Sequence, residues 1–162
     1  MKVGIFIGSD SDFAVVEDAI RLLKEFGISF RLEVTSAHRS PQRTEALIRE
    51  LDEKGTEVFI AAAGKAAHLA GIVSAHTIRP VIGVPSGGSL GGLDALLSTS
   101  QMPKGIPVAC MGIGESGASN AALLAIQILA LKDPVLAGKL KDFRKRMAEE
   151  VVSASKKIQD KI

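Results

Sequence analysis

The sequence contains neither tryptophan nor tyrosine, and its only aromatic residues are six phenylalanines. Proteins that bind single-stranded nucleic acid stack bases on aromatic side chains, so this composition argues against single-stranded nucleic acid as the ligand. Its 20 lysines and arginines exceed its 18 acidic residues by only two, which gives a net charge of +2. Without a strongly basic field, the sequence does not predict a nucleic-acid partner.

Cysteine is also scarce, since Cys110 is the only one. A single cysteine excludes a disulfide bond within the chain and a metal site built from several thiolates. Cys110 lies in the apolar run IPVACMG, where we expect a buried thiol rather than a nucleophile.

Long apolar runs are missing as well. The first segment, MKVGIFIGSDSD, becomes polar after a handful of apolar residues, which is too short for a signal peptide or a membrane span. We therefore expect a cytoplasmic protein that does not interact with membranes.

The chain has 162 residues, 46% of them hydrophobic, which suits one compact domain spanning 1–162. Four apolar runs are continuous rather than alternating, as in strands that helices cover on both faces of a parallel sheet. The runs lie at 2–8, 56–64, 79–85 and 105–112.

A fifth candidate strand, ISFRLEVT at 28–35, alternates apolar and polar residues. Alternation indicates that one face is less covered, as at the edge of a sheet. Strands that alternate with helices predict a three-layer αβα domain of the doubly wound, flavodoxin-like class. With the second strand at the edge, the expected strand order is 2-1-3-4-5.

Helix signals lie between the strands. An apolar stripe over 12–27 ends at Gly27, a C-terminal cap. Ser40 and Pro41 are typical of the N-cap and first residue of a second helix, which we expect to end at Gly55. A third helix is expected over 66–78.

Two more helices are expected after Asn120. The first, AALLAIQILAL, is strongly apolar, whereas the C-terminal segment 133–162 is amphipathic. Because no strand follows them, we expect their surplus apolar surface to pack on a neighbouring subunit of a homo-oligomer.

Ligands of doubly wound sheets bind beyond the carboxyl ends of the strands. The loops expected there include GSDSD, SAHRSP, GKAAHLAG and SGGSLGG. Ser9, Ser11 and Asp12 precede a helix, where one of them would suffice as a cap. The surplus groups are suited to a phosphate or to ribose hydroxyls.

His38 and Arg39 stand side by side in the second of these loops. Histidine can transfer protons near neutral pH, and arginine offers anions a fork of donors. Taken alone, each also has a bland interpretation, a structural histidine and a solvated charge.

His68 and His76 fall in the expected helix 66–78, and their eight-residue separation predicts that both lie near one face. They do not have the spacing of a helical metal-binding pair, so we predict no metal site and interpret His76 as structural.

Nucleotide cofactors are not predicted either. GIGESG, at 112–117, matches a dinucleotide-binding pattern, but that pattern belongs to an opening strand–helix–strand unit with a later acidic residue. No phosphate-binding loop of the ATPase type is present.

Five motifs, in this order, resemble the PurE family of purine biosynthesis: GSDSD, SAHRSP, AAGKAAHLAG, QMPKGIPV and NAALLAIQIL. This family comprises carboxyaminoimidazole ribonucleotide mutases and aminoimidazole ribonucleotide carboxylases. The resemblance implies that His38 carries a proton at imidazole carbon 4 and that Arg39, with Ser9, Ser11 and Asp12, holds the ribose phosphate. The other substrate-binding residues it implies are Ser36, Gly64, Lys65 and His68.

The implied reaction converts N-carboxyaminoimidazole ribonucleotide to the 4-carboxy isomer by release and recapture of CO₂, without ATP, metal or cofactor. The resemblance also implies an octamer. Three alternatives remain open: direct carboxylation of the uncarboxylated nucleotide, carboxylation of a different nucleotide, and a non-catalytic nucleotide sensor. His68 and Gln101 look like the mutase subtype, whereas Lys65 stands where CO₂-using carboxylases carry a basic residue.

Overall fold

The computed structural model describes the whole chain, Met1 to Ile162. Its strands are β1 (Val3–Ile7), β2 (Phe30–Val34), β3 (Val58–Ala63), β4 (Val81–Pro85) and β5 (Ala109–Cys110). They form one parallel sheet in the order β2-β1-β3-β4-β5, which confirms the expected doubly wound α/β fold. The helices are α1 (Phe13–Glu25), α2 (Pro41–Glu53), α3 (Leu69–Ala75), α4 (Leu93–Ser100), α5 (Gly114–Ala130) and α6 (Pro134–Gln159), with a 3₁₀ turn at Asp10–Asp12.

Every residue of β1 and β4 is buried, because helices cover both faces of the central strands. On one face the rings of Phe6 and Phe59 stack with their centroids 5.7 Å apart. The apolar residues of α2 and α3 pack in the same cluster. Gly4 makes room for this packing, since a Cβ there would lie 2.7 Å from the Phe59 ring.

The register of the sheet determines where the loops emerge. Ile7, near the end of β1, is paired with Val34 of β2 and with Ala62 of β3. Three strands therefore end at the same level, and the chain leaves all of them at one edge of the sheet.

β2 lies at the edge of the sheet, as its alternating pattern predicts. Its polar residues are held by ion pairs rather than by solvent alone. Arg31 donates from Nε to Glu33 at 2.7 Å and from a terminal nitrogen to Glu50 of α2 at 2.6 Å. Hydrogen bonds from Lys54 and Arg31 lower the pKa of the Glu50 carboxyl.

Several predicted boundaries are wrong. α3 begins at Leu69 and ends at Ala75, because Lys65 has a left-handed backbone (φ 54°) and starts a tight turn. His68 and His76 therefore lie just outside the two ends of a short helix instead of within a longer one. α5 begins at Gly114, before Asn120, and the sequence patterns did not predict α4.

The last strand is shorter than its apolar run, with two residues instead of the expected 105–112. Cys110 is only half-buried, which corrects the expectation of a buried core thiol. Burial nonetheless raises the pKa of this thiol, which disfavours the nucleophilic thiolate.

Main-chain contacts divide the chain into two compact units, Met1–Ile126 and Gln127–Ile162. The first contains the sheet, and the second contains α6. None of the helices combines the length and the apolar character needed to cross a membrane.

Candidate active site

A cavity of about 900 Å³ opens at the carboxyl ends of the strands in the first unit. Its size falls in the range of small-molecule sites. Loops after β1, β2, β3 and β4 form its walls, and all nine predicted site residues line it. They are Ser9, Ser11, Asp12, Ser36, His38, Arg39, Gly64, Lys65 and His68.

The loop after β1 presents hydroxyl groups and carboxylates. Ser9 caps the 3₁₀ turn by accepting from the Ser11 N–H, and the Ser11 hydroxyl donates to Ser9 at 3.1 Å. The Ser9 hydroxyl and the Ser11 N–H hold the pKa of the Asp10 carboxyl below its usual value. Asp12 precedes α1 but makes no side-chain capping bond. Its Oδ1 instead accepts from the Ser86 hydroxyl at 2.6 Å.

The loop after β2 is closed by its own serines. Ser36 Oγ accepts from the Arg39 N–H at 3.1 Å, and the Ser36 N–H donates to Ser40 Oγ at 3.1 Å. Ser40 is thus the residue before α2, as expected, but its side chain bonds Ser36 instead of capping the helix. The Arg39 guanidinium donates to the Gly8 carbonyl at 3.1 Å. This bond holds the cation beside the first loop.

His38 and His68 meet within the cavity. His38 Nε2 lies 2.8 Å from His68 Nδ1, and the two rings are nearly perpendicular, at 81°. His38 belongs to the loop after β2, and His68 is the residue just before α3. The contact was not predicted, because His68 was expected inside a helix with His76.

The loops after β3 and β4 approach each other closely at Gly64. A Cβ at Gly64 would lie 2.5 Å from the Gly87 carbonyl oxygen, so only glycine fits without a shift of the backbone. The Lys65 N–H donates to that carbonyl at 2.8 Å, and the Ser86 N–H donates to the Ala63 carbonyl at 2.9 Å. Lys65 is the only residue other than glycine with a positive φ.

The loop after β4 supplies cavity-lining residues that are not among the predicted site residues. Ser86 bonds Asp12, and the Ser89 N–H donates to Asp94 Oδ2 at 3.1 Å. The glycine-rich segment SGGSLGG follows an expected strand, and this was the available signal. Its small residues carry no ionisable group, so residue chemistry alone did not single them out.

The cavity combines hydrogen-bond donors with two imidazoles, those of His38 and His68. Arg39 and Lys65 are its cations, and Asp12 is its only carboxylate. Lys65 forms no ion pair with the protein. No group of three or more His, Cys, Asp or Glu side chains is arranged to hold a metal ion. The arrangement suits an anionic, hydroxyl-bearing ligand that exchanges a proton with an imidazole.

Residues 2–150 match the AIR carboxylase family. The chain belongs to that family. Among curated relatives, the N5-carboxyaminoimidazole ribonucleotide mutase of Methanocaldococcus jannaschii is 47% identical over 156 residues, 96% of each chain. The mutase of Pyrococcus abyssi is 52% identical over 147 residues, which cover 90% of this chain and 83% of that protein.

The fold is also similar to that of a solved structure. The crystal structure of Treponema denticola PurE superposes with a TM-score of 0.85 at 29% identity, covering 93% of this chain and 94% of that one. The sequence relatives and the structural neighbour thus agree with the family resemblance that the sequence motifs carry.

The strained backbone at Lys65 yields a stability prediction. A left-handed conformation costs a residue with a Cβ roughly 1–2 kcal/mol, and glycine is exempt. Lys65→Gly should raise the free energy of unfolding by about 1 kcal/mol, allowing for the greater freedom of glycine in the unfolded chain. Urea denaturation at fixed protein concentration measures this change.

Lys65→Ala is the matched control, because it removes the same charge but keeps the Cβ. Its free energy of unfolding should stay near that of the unmodified protein. An equal gain for both variants would attribute the effect to charge rather than to backbone strain.

Proposed function

We propose that this protein is an ATP-independent, metal-independent N5-carboxyaminoimidazole ribonucleotide mutase of purine biosynthesis, an isomerase of the cytoplasm. The observation that carries the proposal is His38, an imidazole that opens onto a cavity lined mainly by hydrogen-bonding groups and small residues. The names and high identities of the curated relatives support the same reaction.

The proton balance of the reaction matches a single acid–base group. When the bond between the exocyclic nitrogen and the carboxylate breaks, its electron pair stays on nitrogen, which takes a proton. When ring carbon 4 attacks the released CO₂, that carbon must lose its proton. One group that gives a proton and later takes one back therefore suffices, and we assign this role to His38.

The remaining polar groups hold the substrate in this proposal. Arg39, fixed by the Gly8 carbonyl, pairs with the phosphate together with the hydroxyls of Ser9 and Ser11. Asp12 accepts from a ribose hydroxyl through the carboxylate oxygen that does not bond Ser86. Ser36 orients Arg39, and Gly64 allows close approach of the ligand to the backbone.

CO₂ must remain near the imidazole between its release and its recapture. A wall of small residues leaves room for CO₂ beside the imidazole, and this proximity favours recapture over escape. Ala63, Gly64 and Ala66 provide such a wall next to His68.

One observation favours a second candidate, the CO₂-using carboxylase. Lys65 is a cation without an ion pair on the cavity wall, and such a charge would stabilise a carboxylate that forms from dissolved CO₂. In this alternative the substrate is the uncarboxylated nucleotide, and the enzyme is a lyase.

We also propose an octamer in which the C-terminal segment 133–162 packs on a neighbouring subunit. The support is the exposed apolar surface of α6, where Val151, Val152 and Ile158 are 70%, 56% and 58% exposed. Patches of this kind on a helix mark contact surfaces between proteins.

Light scattering of the ligand-free protein tests the assembly. We expect the mass of eight chains at micromolar concentration, and a smaller species after deletion of α6, because association and stability are coupled. A stable monomer of the full chain would exclude the octamer.

Substitution of the two central side chains should separate chemistry from binding. His38→Asn should lower turnover of the N-carboxy nucleotide by about 10²- to 10⁴-fold, the usual contribution of a general acid–base group. Its affinity for the nucleotide should persist. Arg39→Ala should mainly raise KM, because it removes the charge that pairs with phosphate.

Absorbance assays for turnover and calorimetry for binding give these numbers. Should His38→Asn turn over at the normal rate, another group carries the proton. An unmodified protein that binds the nucleotide without turning it over would be a sensor.

Isotopic labelling decides between mutase and carboxylase. Given an N-carboxy nucleotide labelled in its carboxyl group, a mutase should transfer most of the label to carbon 4, even in unlabelled bicarbonate. Mass spectrometry of the product measures the retained fraction. Complete loss of label, or equally fast product formation from the uncarboxylated nucleotide and bicarbonate, would establish the carboxylase.

A further inference from the structure

The contact between the two histidines restricts where their protons lie. His38 Nε2 and His68 Nδ1 are 2.8 Å apart, which is hydrogen-bond distance for two nitrogens. A neutral imidazole has one N–H and one lone pair, so one ring donates across this contact and the other accepts. The bond engages Nε2 of His38, and Nδ1 is therefore the nitrogen left for a ligand.

The chemistry of the proposed reaction selects the donor. As a base, His38 needs a lone pair on Nδ1, so its proton must sit on Nε2 and be donated to His68. As an acid, His38 carries protons on both nitrogens, so Nε2 again donates to His68. In both states His68 Nδ1 is the acceptor.

We propose that His68 is a positioning residue whose neutral Nδ1 accepts from His38 Nε2 and keeps His38 Nδ1 as the reacting nitrogen. This inference rests on the proposed function and replaces the substrate-binding role expected for His68. The arrangement resembles that of a histidine held by a carboxylate in a catalytic triad, but here the acceptor is uncharged. His68 neither gains nor loses a proton, and only His38 Nδ1 exchanges one with the substrate.

The acceptor role requires that His68 keep a lone pair on Nδ1. Two cationic side chains, Arg39 and Lys65, already line the cavity, and its single carboxylate, Asp12, is bonded to Ser86. A positive charge on His68 would add a third cation and remove the lone pair that His38 requires.

The backbone of His68 is also held firmly. Its N–H donates to the Ala66 carbonyl at 2.8 Å, and its own carbonyl accepts from the Ile72 N–H at 3.0 Å in the first turn of α3. The next residue, Leu69, is buried. These bonds fix where the His68 side chain leaves the backbone, and its contact with His38 then links α3 to the loop after β2.

Three substitutions of His68 distinguish positioning from other roles. In His68→Asn, the amide oxygen reaches the place of Nδ1 and can accept from His38. In His68→Gln, the oxygen reaches the place of Nε2 instead, and His68→Phe has no acceptor. We expect the Asn variant to stay within about threefold of normal kcat, and the Gln and Phe variants to lose about 10- to 100-fold.

Two readouts accompany kcat. KM should change little in all three variants, because His68 does not touch the substrate in this proposal. Exchange of the hydrogen on carbon 4 of the uncarboxylated nucleotide with D₂O isolates proton transfer, and proton NMR follows it. This exchange should slow in the Gln and Phe variants as much as turnover does.

Several outcomes would overturn the inference while leaving the function intact. A raised KM with normal kcat in the Phe variant would indicate direct contact with substrate. Equal losses in the Asn and Phe variants would show that an acceptor at the place of Nδ1 is not what His68 supplies. Equal activity of the Asn and Gln variants would remove the geometric argument. An unmodified enzyme that converts neither nucleotide would instead refute the proposed function.

Discussion

Main-chain hydrogen bonds hold the parallel strands in one register, and this register brings the cavity-lining loops together. Because Ile7 lies level with Val34 and Ala62, the segments GSDSD, SAHRSP and AAGKAAH leave the sheet side by side. Residues that are about 30 positions apart in the chain, such as His38 and His68, thereby come within 2.8 Å. A slip of one strand relative to its neighbour would separate these groups and also expose buried side chains.

The loops add local constraints to this alignment. Serine hydroxyls close the loop after β2, and the Gly8 carbonyl fixes Arg39. Asp12 reaches across to Ser86, 74 residues later in the sequence. Bonds within the protein thus fix several of the groups that bind a ligand in our proposal, which lowers the entropy that binding must offset.

Much of the fold follows from local patterns. Continuous and alternating apolar runs identify β1 to β4 and place β2 at the edge. A strand buried on both faces has a continuous apolar run, whereas a strand buried on one face alternates. The nine candidate site residues, all of which line the cavity, follow from the rule for parallel sheets and from the family motifs. The length of α3, the start of α5 and the shortness of β5 do not, since they depend on backbone conformation at positions such as Lys65 and Gly114. Likewise, the contact between His38 and His68 depends on how the loop after β2 and the start of α3 lie in space, which the local sequence of neither segment predicts.

The joint between the loops after β3 and β4 has a kinetic consequence for the cavity. Two backbone hydrogen bonds, from Lys65 to Gly87 and from Ser86 to Ala63, form a seam between these loops. Gly64 lies in this seam, and because it has no side chain the two backbone segments can approach closely. Opening the wall there would break both bonds together, at a cost of about 1 kcal/mol each. The wall at this seam therefore stays closed most of the time. Amide hydrogens of the seam should be correspondingly slow to exchange with solvent.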